Sequence, residues 1–122
     1  MPRPLAIIGT PSSAGAYAPG QELAPAALRQ AGLVTRLSHA GREVVDHGNS
    51  PLFRWRPDRA HPYAQNAAAV RDAILATAAR VQAAAAAGQL PLVLGGDCTV
   101  GIGTVSGMMA AHPERLGLIY FD

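Results

Sequence analysis

The strongest constraint on the fold is an alternation of short apolar runs with longer segments of helical spacing. The run Leu90–Leu94 is continuously apolar, as expected of a strand that is buried on both faces of a parallel sheet. The other runs are Leu5–Ile8, Val44–Val45 and Leu116–Phe121. Together they predict the order β-α-β-α-β-α-β, an α/β domain with four parallel strands flanked by helices.

The segments between the runs predict the helices. Helical spacing extends from Leu23 to Gly41 with a break at Gly32, then over Tyr63–Ala87, and finally over Val100–His112 before Pro113. The intervening stretch 49–62 has three prolines and no clear period, so it predicts a loop. Its aromatic residues among arginines fit either a nucleotide- or phosphate-binding surface or an ordinary surface loop.

Composition excludes several classes of function. All ten basic residues are arginine, which rules out a Walker-type phosphate loop and a Schiff-base lysine. The net charge of +2 is too small for a nucleic-acid footprint. A single cysteine cannot form an internal disulfide, and no stretch approaches the roughly 20 apolar residues of a membrane span. We therefore expect a soluble, cytoplasmic protein without nucleic-acid or membrane partners.

The segment Gly95–Gly103, GGDCTVGIG, places the only cysteine between a predicted strand and a predicted helix. Glycines at such a junction can bind an anion, but Gly101, Gly103 and Gly107 are one residue off the dinucleotide fingerprint. A cysteine nucleophile at a helix N-terminus needs a nearby base. His112 is about 20 Å away along the same helix at 1.5 Å per residue and cannot serve. His47, at the end of another predicted strand, could reach in principle, but nothing in the sequence places it near Cys98.

A third interpretation of the turn is a metal site. Asp97 and Cys98 follow one predicted strand and Asp122 ends the next, and the carboxyl ends of parallel strands lie at one edge of a sheet. Two candidate ligands alone do not define a metal site. A small buried thiol behind a glycine turn remains the structural alternative.

The order and spacing of several motifs resemble the amino-terminal part of the arginase and agmatinase family, the ureohydrolases. The resemblance covers nearly the whole chain, so residues 1–122 are expected to form the amino-terminal portion of one domain. At two places the sequence departs from the family pattern, with Asn49 and Cys98 where aspartate and histidine are usual. The matching segments are Gly9–Pro11 with Ser13, Gly15 and Gly20; Glu22–Pro25, Leu28–Arg29 and Ala31–Leu33; Val45–Gly48; Leu94–Asp97 with Thr99 and Gly103; and Gly117–Asp122.

This resemblance implies a three-layer α/β/α fold, incomplete in this chain, and a binuclear manganese site that hydrolyses C–N bonds of linear amidines such as arginine or agmatine. Cys98 then takes the position of a histidine ligand and Asp122 that of the first aspartate ligand, with the Asp97 carboxylate behind them. A thiolate suits Zn²⁺ or Fe²⁺ better than Mn²⁺. The resemblance also implies a small guanidino substrate and a homo-oligomer. Because the chain stops before the later ligands, we expect a fragment or truncated relative, either a hydrolase or a non-catalytic protein that binds or assembles.

Overall fold

The computed structural model describes residues 2–114 and 116–121. Within them, three strands alternate with four α-helices, and a short 3₁₀ turn at Gln21–Leu23 precedes the first helix. No helix in these ranges is both long and apolar enough to cross a membrane. The elements are β1 (Leu5–Thr10), α1 (Ala24–Gln30), α2 (Leu33–His39), β2 (Val44–Asn49), α3 (Ala67–Ala86), β3 (Leu90–Gly95) and α4 (Val100–Ala111).

The strands form a parallel sheet in the order β2-β1-β3. All six residues of β1 are buried, because β1 is the central strand. Alternate residues of a strand face opposite sides of the sheet. On one side of the sheet, Ala6 and Ile8 pack with two residues of α3, Val81 and Ala84. The partly buried side chains of Val93 and Met108 pack against this cluster. The predicted parallel α/β class is thus confirmed, and β1 is the scaffold on which the neighbouring loops are positioned.

Two glycines let α4 pack directly on α3. A Cβ atom at Gly103 would lie 2.6 Å from the carbonyl oxygen of Ile74, and one at Gly107 would lie 2.5 Å from that of Ala78. Both distances are shorter than carbon and oxygen tolerate, so only glycine permits this approach. Gly103 and Gly107 therefore lie within a helix and allow it to pack closely on α3. Their spacing is not that of a dinucleotide-binding loop.

The predicted fourth strand at Leu116–Phe121 is wrong. Residues 116–121 have no regular secondary structure and are exposed. A strand needs a neighbour to satisfy its backbone groups, and this segment does not pair with β3. For the same reason β3 is less buried than its apolar sequence predicts, with only Leu94 fully buried among its residues.

The long helix begins later than predicted. It starts at Ala67 instead of Tyr63, because Asn66 has a left-handed backbone with φ of 54° that a helix cannot continue through. The carboxylate of Asp58 accepts the Asn66 N–H at 3.3 Å, and Tyr63 is fully exposed. The loop before α3 is therefore longer and more ordered than the sequence pattern indicates.

Candidate functional site

The turn between β3 and α4 lies directly against the backbone that follows β1. The N–H of Asp97 donates to the carbonyl oxygen of Ser12 at 2.9 Å. A Cβ atom at Gly96 would lie only 1.8 Å from that same oxygen. The glycine before Asp97 is therefore required by the close approach of two backbone segments, both at the carboxyl ends of their strands.

Asp97 is the buried centre of this junction. Its side chain is buried, with the residue 5% exposed, and its Oδ2 accepts the N–H of Gly15 at 2.8 Å. Its Oδ1 accepts the N–H of Thr99 at 2.9 Å and also the Thr99 hydroxyl. Three donors, two backbone N–H groups and one hydroxyl, are thus directed at this one carboxylate. Asp97 thereby fastens the turn after β3 to the loop after β1.

Cys98 has the opposite environment. Its thiol is free and the residue is exposed, at the carboxyl end of β3. It borders an open groove of about 610 Å³ whose other walls include Val93 of β3, Ile102 of α4 and Leu118. The structural alternative of a buried thiol is thus wrong, because the turn presents the side chain to solvent.

The three predicted metal-site residues have different outcomes. Cys98 and Asp97 lie side by side, with the thiol exposed and the carboxylate turned inward. Asp122 lies outside the described residues, so its pairing with Cys98 stays a prediction. Over 2–114 and 116–121, three or more His, Cys, Asp or Glu side chains do not gather anywhere in a way that could hold an ion.

The histidines give little support to a cysteine nucleophile. His47 lies on β2, which β1 separates from β3, so two strand spacings of about 4.8 Å stand between them. Its ring Nε2 is 2.9 Å from Oε1 of Gln89, at the amino end of β3, whereas Cys98 follows the carboxyl end. His47 is therefore not positioned as a base for Cys98.

Sequence reasoning missed a buried carboxylate, Glu22, near the same edge of the sheet. Glu22 is 2% exposed, and its carboxylate accepts the N–H of Gly20 at 2.7 Å and a guanidinium N–H of Arg54 at 2.6 Å. Burial raises the pKa of the Glu22 carboxyl, but hydrogen bonds from Gly20, Ser13 and Arg54 outweigh burial and lower its pKa to about 2. In the sequence Glu22 stood out only as part of the motif Glu22–Pro25, and the motif does not indicate that its carboxylate is buried.

The loop 50–66 is fastened to the same region. Phe53 exchanges backbone hydrogen bonds with Pro11 and Ser13, and Arg56 lies over the Phe53 ring at 5.5 Å. Arg54 is held by Glu22. These two arginines are thus engaged within the chain, which favours the interpretation of the loop as a structural surface segment.

A second polar junction includes Asn49, one of the two departures from the family pattern. Arg29 donates two hydrogen bonds to the Asp46 carboxylate, both 2.8 Å, and a third of 2.5 Å to Oδ1 of Asn49. The hydrogen bonds from Arg29 lower the pKa of the Asp46 carboxyl. Asn49 therefore acts as a neutral acceptor that joins α1 to the end of β2, and its oxygen occupies the space where a Cβ atom of Gly9 would lie.

The chain has the architecture of an open α/β protein with a parallel sheet. Proteins of this class bind their ligands at the carboxyl ends of the strands, where the turn Gly96–Asp97 lies here. A model of the arginase family matches residues 3–122, and the chain belongs to this family.

Curated relatives and solved structures agree with the family match. The chain is 37% identical to an arginase of Bacillus caldovelox over 98% of its own length and 40% of that protein. It is 38% identical to arginase-1 of Rattus norvegicus, of which it covers 37%. Among solved structures, Bacillus subtilis arginase superimposes with a TM-score of 0.73 at 31% identity, over 86% of this chain and 33% of that one. The chain thus spans about 40% of the length of its curated relatives.

Proposed function

We propose that this chain is part of a metal-dependent hydrolase that cleaves C–N bonds of linear amidines, with guanidino compounds such as arginine or agmatine as substrates. The observation that carries the proposal is the Asp97 junction, which holds the exposed Cys98 at the carboxyl end of β3. Family membership over residues 3–122 supports the same activity. We also propose that the intact protein is cytoplasmic and self-assembles.

The donor chemistry decides which metal suits the turn. Manganese is the metal that the resemblance implies, and it prefers oxygen and nitrogen ligands, whereas a thiolate favours zinc or ferrous iron. In the described ranges no three potential ligands gather, and both oxygens of Asp97 already accept hydrogen bonds. These residues do not form a two-manganese site by themselves. We propose that Cys98 and Asp122 contribute two ligands, with Asp97 behind Cys98 and zinc or iron favoured over manganese.

The chain's own contribution is then to hold one candidate ligand in a fixed position. Gly96 brings the turn against Ser12, and the Asp97 carboxylate fixes Thr99 at the start of α4. Mutation of a residue that orients a metal ligand typically lowers metal affinity or activity by about 10- to 100-fold. A bound divalent cation would supply an activated water for attack on the amidine carbon.

A non-catalytic role in binding or assembly is the second candidate function. It is favoured by the thiol at the family's histidine position, together with the lack of a gathered ligand set in the described residues. In this case the turn would still be anchored by Asp97, but urea would not be released.

Metal binding and urea release distinguish the two candidates. The purified chain would be dialysed against equal concentrations of Mn²⁺ and Zn²⁺, and bound metal would be quantified for the parent, Cys98→Ser and Cys98→His. We expect zinc to bind at least tenfold more tightly than manganese, binding to fall in Cys98→Ser, and the preference to move toward manganese in Cys98→His. His112→Ala, at the far end of α4, is the matched control and is expected to bind like the parent.

Urea release from arginine and agmatine is then measured with the metal-loaded intact protein, because this chain alone spans about 40% of the length of its curated relatives. Metal binding with turnover supports the hydrolase. Metal binding without turnover supports the non-catalytic role. Unchanged metal binding in Cys98→Ser contradicts the assignment of Cys98 as a ligand.

A further inference from the structure

The loop that follows β1 carries one large side chain on a segment of small residues. Residues 14–20 read AGAYAPG, so Tyr17 is the only large side chain of this loop, and the loop has no charged residue. Tyr17 is 92% exposed, which means that the described parts of the chain leave nearly all of its ring open to solvent. An exposed tyrosine offers an apolar ring face and a polar hydroxyl with which to bind another molecule.

The beginning of this loop lies directly on the turn that carries Cys98. The N–H of Gly15 donates to Oδ2 of Asp97 at 2.8 Å. A Cβ atom at Gly15 would lie 2.5 Å from Cγ2 of Thr99, so the backbone of the loop and the turn approach each other without a side chain between them. The loop after β1 and the Cys98 turn are therefore in contact at the carboxyl edge of the sheet.

The end of the loop is fixed by a second carboxylate. Gly20 has a φ of 133°, a backbone conformation that favours glycine, and its N–H donates to the buried carboxylate of Glu22 at 2.7 Å. Tyr17 is thus presented from a loop that is anchored at both ends before any ligand binds. Such preorganisation lowers the entropic cost of binding.

Tyr17 lies within reach of a molecule that is bound at the Cys98 turn. Two residues of extended chain span at most about 7 Å, so the Cα atom of Tyr17 is no farther than this from that of Gly15. Gly15 itself contacts Asp97, the neighbour of Cys98. A linear guanidino compound whose reacting end lies at the turn extends its alkyl chain and its other end away from it, over a comparable length.

We propose that Tyr17 is a specificity-determining residue whose ring binds the end of the substrate opposite the guanidino group. This inference rests on the proposed hydrolase function and deepens it. The face of an aromatic ring attracts a cation, whereas loop 14–20 has no cationic side chain to pair with a carboxylate. The substrate class that fits is a guanidino compound with an ammonium group at its other end, in preference to one that ends in a carboxylate alone.

Steady-state kinetics of the metal-loaded intact protein with two matched substrates tests the proposal. Agmatine and guanidinobutyrate have chains of similar length and end in an ammonium and a carboxylate, respectively. Tyr17→Leu keeps apolar bulk but removes the ring. We expect it to raise KM for agmatine about fivefold or more, to change kcat by less than about twofold, and to leave KM for guanidinobutyrate nearly unchanged. Tyr17→Phe keeps the ring face and is expected to behave like the parent.

A calorimetric titration gives a readout that does not depend on turnover. The intact protein without added metal would be titrated with agmatine, and Tyr17→Leu is expected to bind about fivefold more weakly than the parent and Tyr17→Phe. Tyr63→Leu is the matched control. Tyr63 is as exposed as Tyr17 but lies in the loop before α3, in a turn that Asp58 holds, and its replacement is expected to leave the affinity unchanged.

The outcomes separate the role of Tyr17 from the hydrolase function. Equal KM and equal affinity for agmatine in the parent and Tyr17→Leu, including no binding to either, overturn the proposal. An equal loss for agmatine and guanidinobutyrate also overturns it, because the ring would then not distinguish the charge of the far end. A changed assembly state of Tyr17→Leu in size-exclusion chromatography, with unchanged KM, assigns the residue to a subunit contact instead. Absence of urea release from the parent contradicts the hydrolase, whereas agmatine binding that depends on Tyr17 still supports the contact in that case.

Discussion

The two faces of α4 differ in how completely this chain covers them. The inner face approaches α3 so closely that Gly103 and Gly107 cannot carry a side chain. The outer face exposes Ile102 and Met109 on the side of β3 with which no described residue pairs. The twelve-residue helix α4 is therefore packed on the side of α3 and exposed on the opposite side. All six residues of β1 are buried, whereas the side of β3 that faces residues 116–121 is left open.

The largest effect is expected on the closed side, from Gly96→Ala. A methyl group there meets the Ser12 carbonyl oxygen, and backbone cannot rotate away as a side chain can. The substitution would separate the turn from the loop after β1 and lose the Asp97–Ser12 hydrogen bond. We expect a loss of about 3 kcal/mol or more in the free energy of unfolding, measured by urea denaturation. A loss below about 1 kcal/mol would mean that the two segments are not in contact.

Next in size is a matched pair of glycines within α4. Gly107→Ala forces a Cβ atom against Ala78 and Val81 and is expected to cost about 2 kcal/mol of stability. Gly101→Ala has open space around its Cβ and is expected to stabilise the helix by up to about 1 kcal/mol. Thermal or urea unfolding of both variants measures the difference, and equal shifts in the two would contradict the close packing of α4 on α3.

A pH-dependent effect is expected from Glu22, which joins the loops on the closed side. Its pKa in the folded chain is about 2, below the ordinary value of 4.5, so the folded state favours the ionised form. The stability that this provides is fully present above pH 4.5 and is lost as the pH falls from 4.5 toward 2. Urea midpoints of the parent should fall more steeply over this range than those of Glu22→Gln. Parallel pH profiles of the two proteins would show that Glu22 is not held by its donors.

The smallest effect is expected on the open side. Ile102→Ser replaces a side chain that is already 55% exposed, so the chain alone should change in stability by no more than about 0.5 kcal/mol. Its solubility should rise, because the apolar patch beside β3 shrinks. A destabilisation comparable to that of Gly107→Ala would place Ile102 in the packed interior and remove the distinction between the two faces.

The sequence predicted elements wherever local pattern decides the structure. Apolar runs located β1, β2 and β3, and glycine or proline marked the ends of most helices. Prediction failed where the local structure depends on a contact with a residue distant in the sequence. Leu116–Phe121 has the composition of a strand but lacks a neighbour to pair with, and α3 starts late because the Asp58 carboxylate holds Asn66 outside the helix.

For the candidate site, the position of the turn could be predicted from the sequence, but its contacts could not. The apolar run followed by glycines and Asp97 located the turn, and strand order placed it at the carboxyl edge. The contacts that fix it were not predictable, because Asp97 binds Gly15, 82 residues earlier in the chain, and Glu22 is bound by Arg54, 32 residues later. Such pairs leave no periodic or spacing signal.

The exchange rates of backbone amides test most directly whether the chain is closed around β1 and open beyond β3. The N–H groups of Gly15, Asp97 and Thr99 all donate within the junction, so their exchange should be slow and should accelerate at Gly15 and Thr99 in Asp97→Asn. The amides of residues 116–121 should exchange rapidly in both proteins. Rapid exchange at Gly15, Asp97 and Thr99 in the parent, or protection of residues 116–121 equal to theirs, would contradict the account.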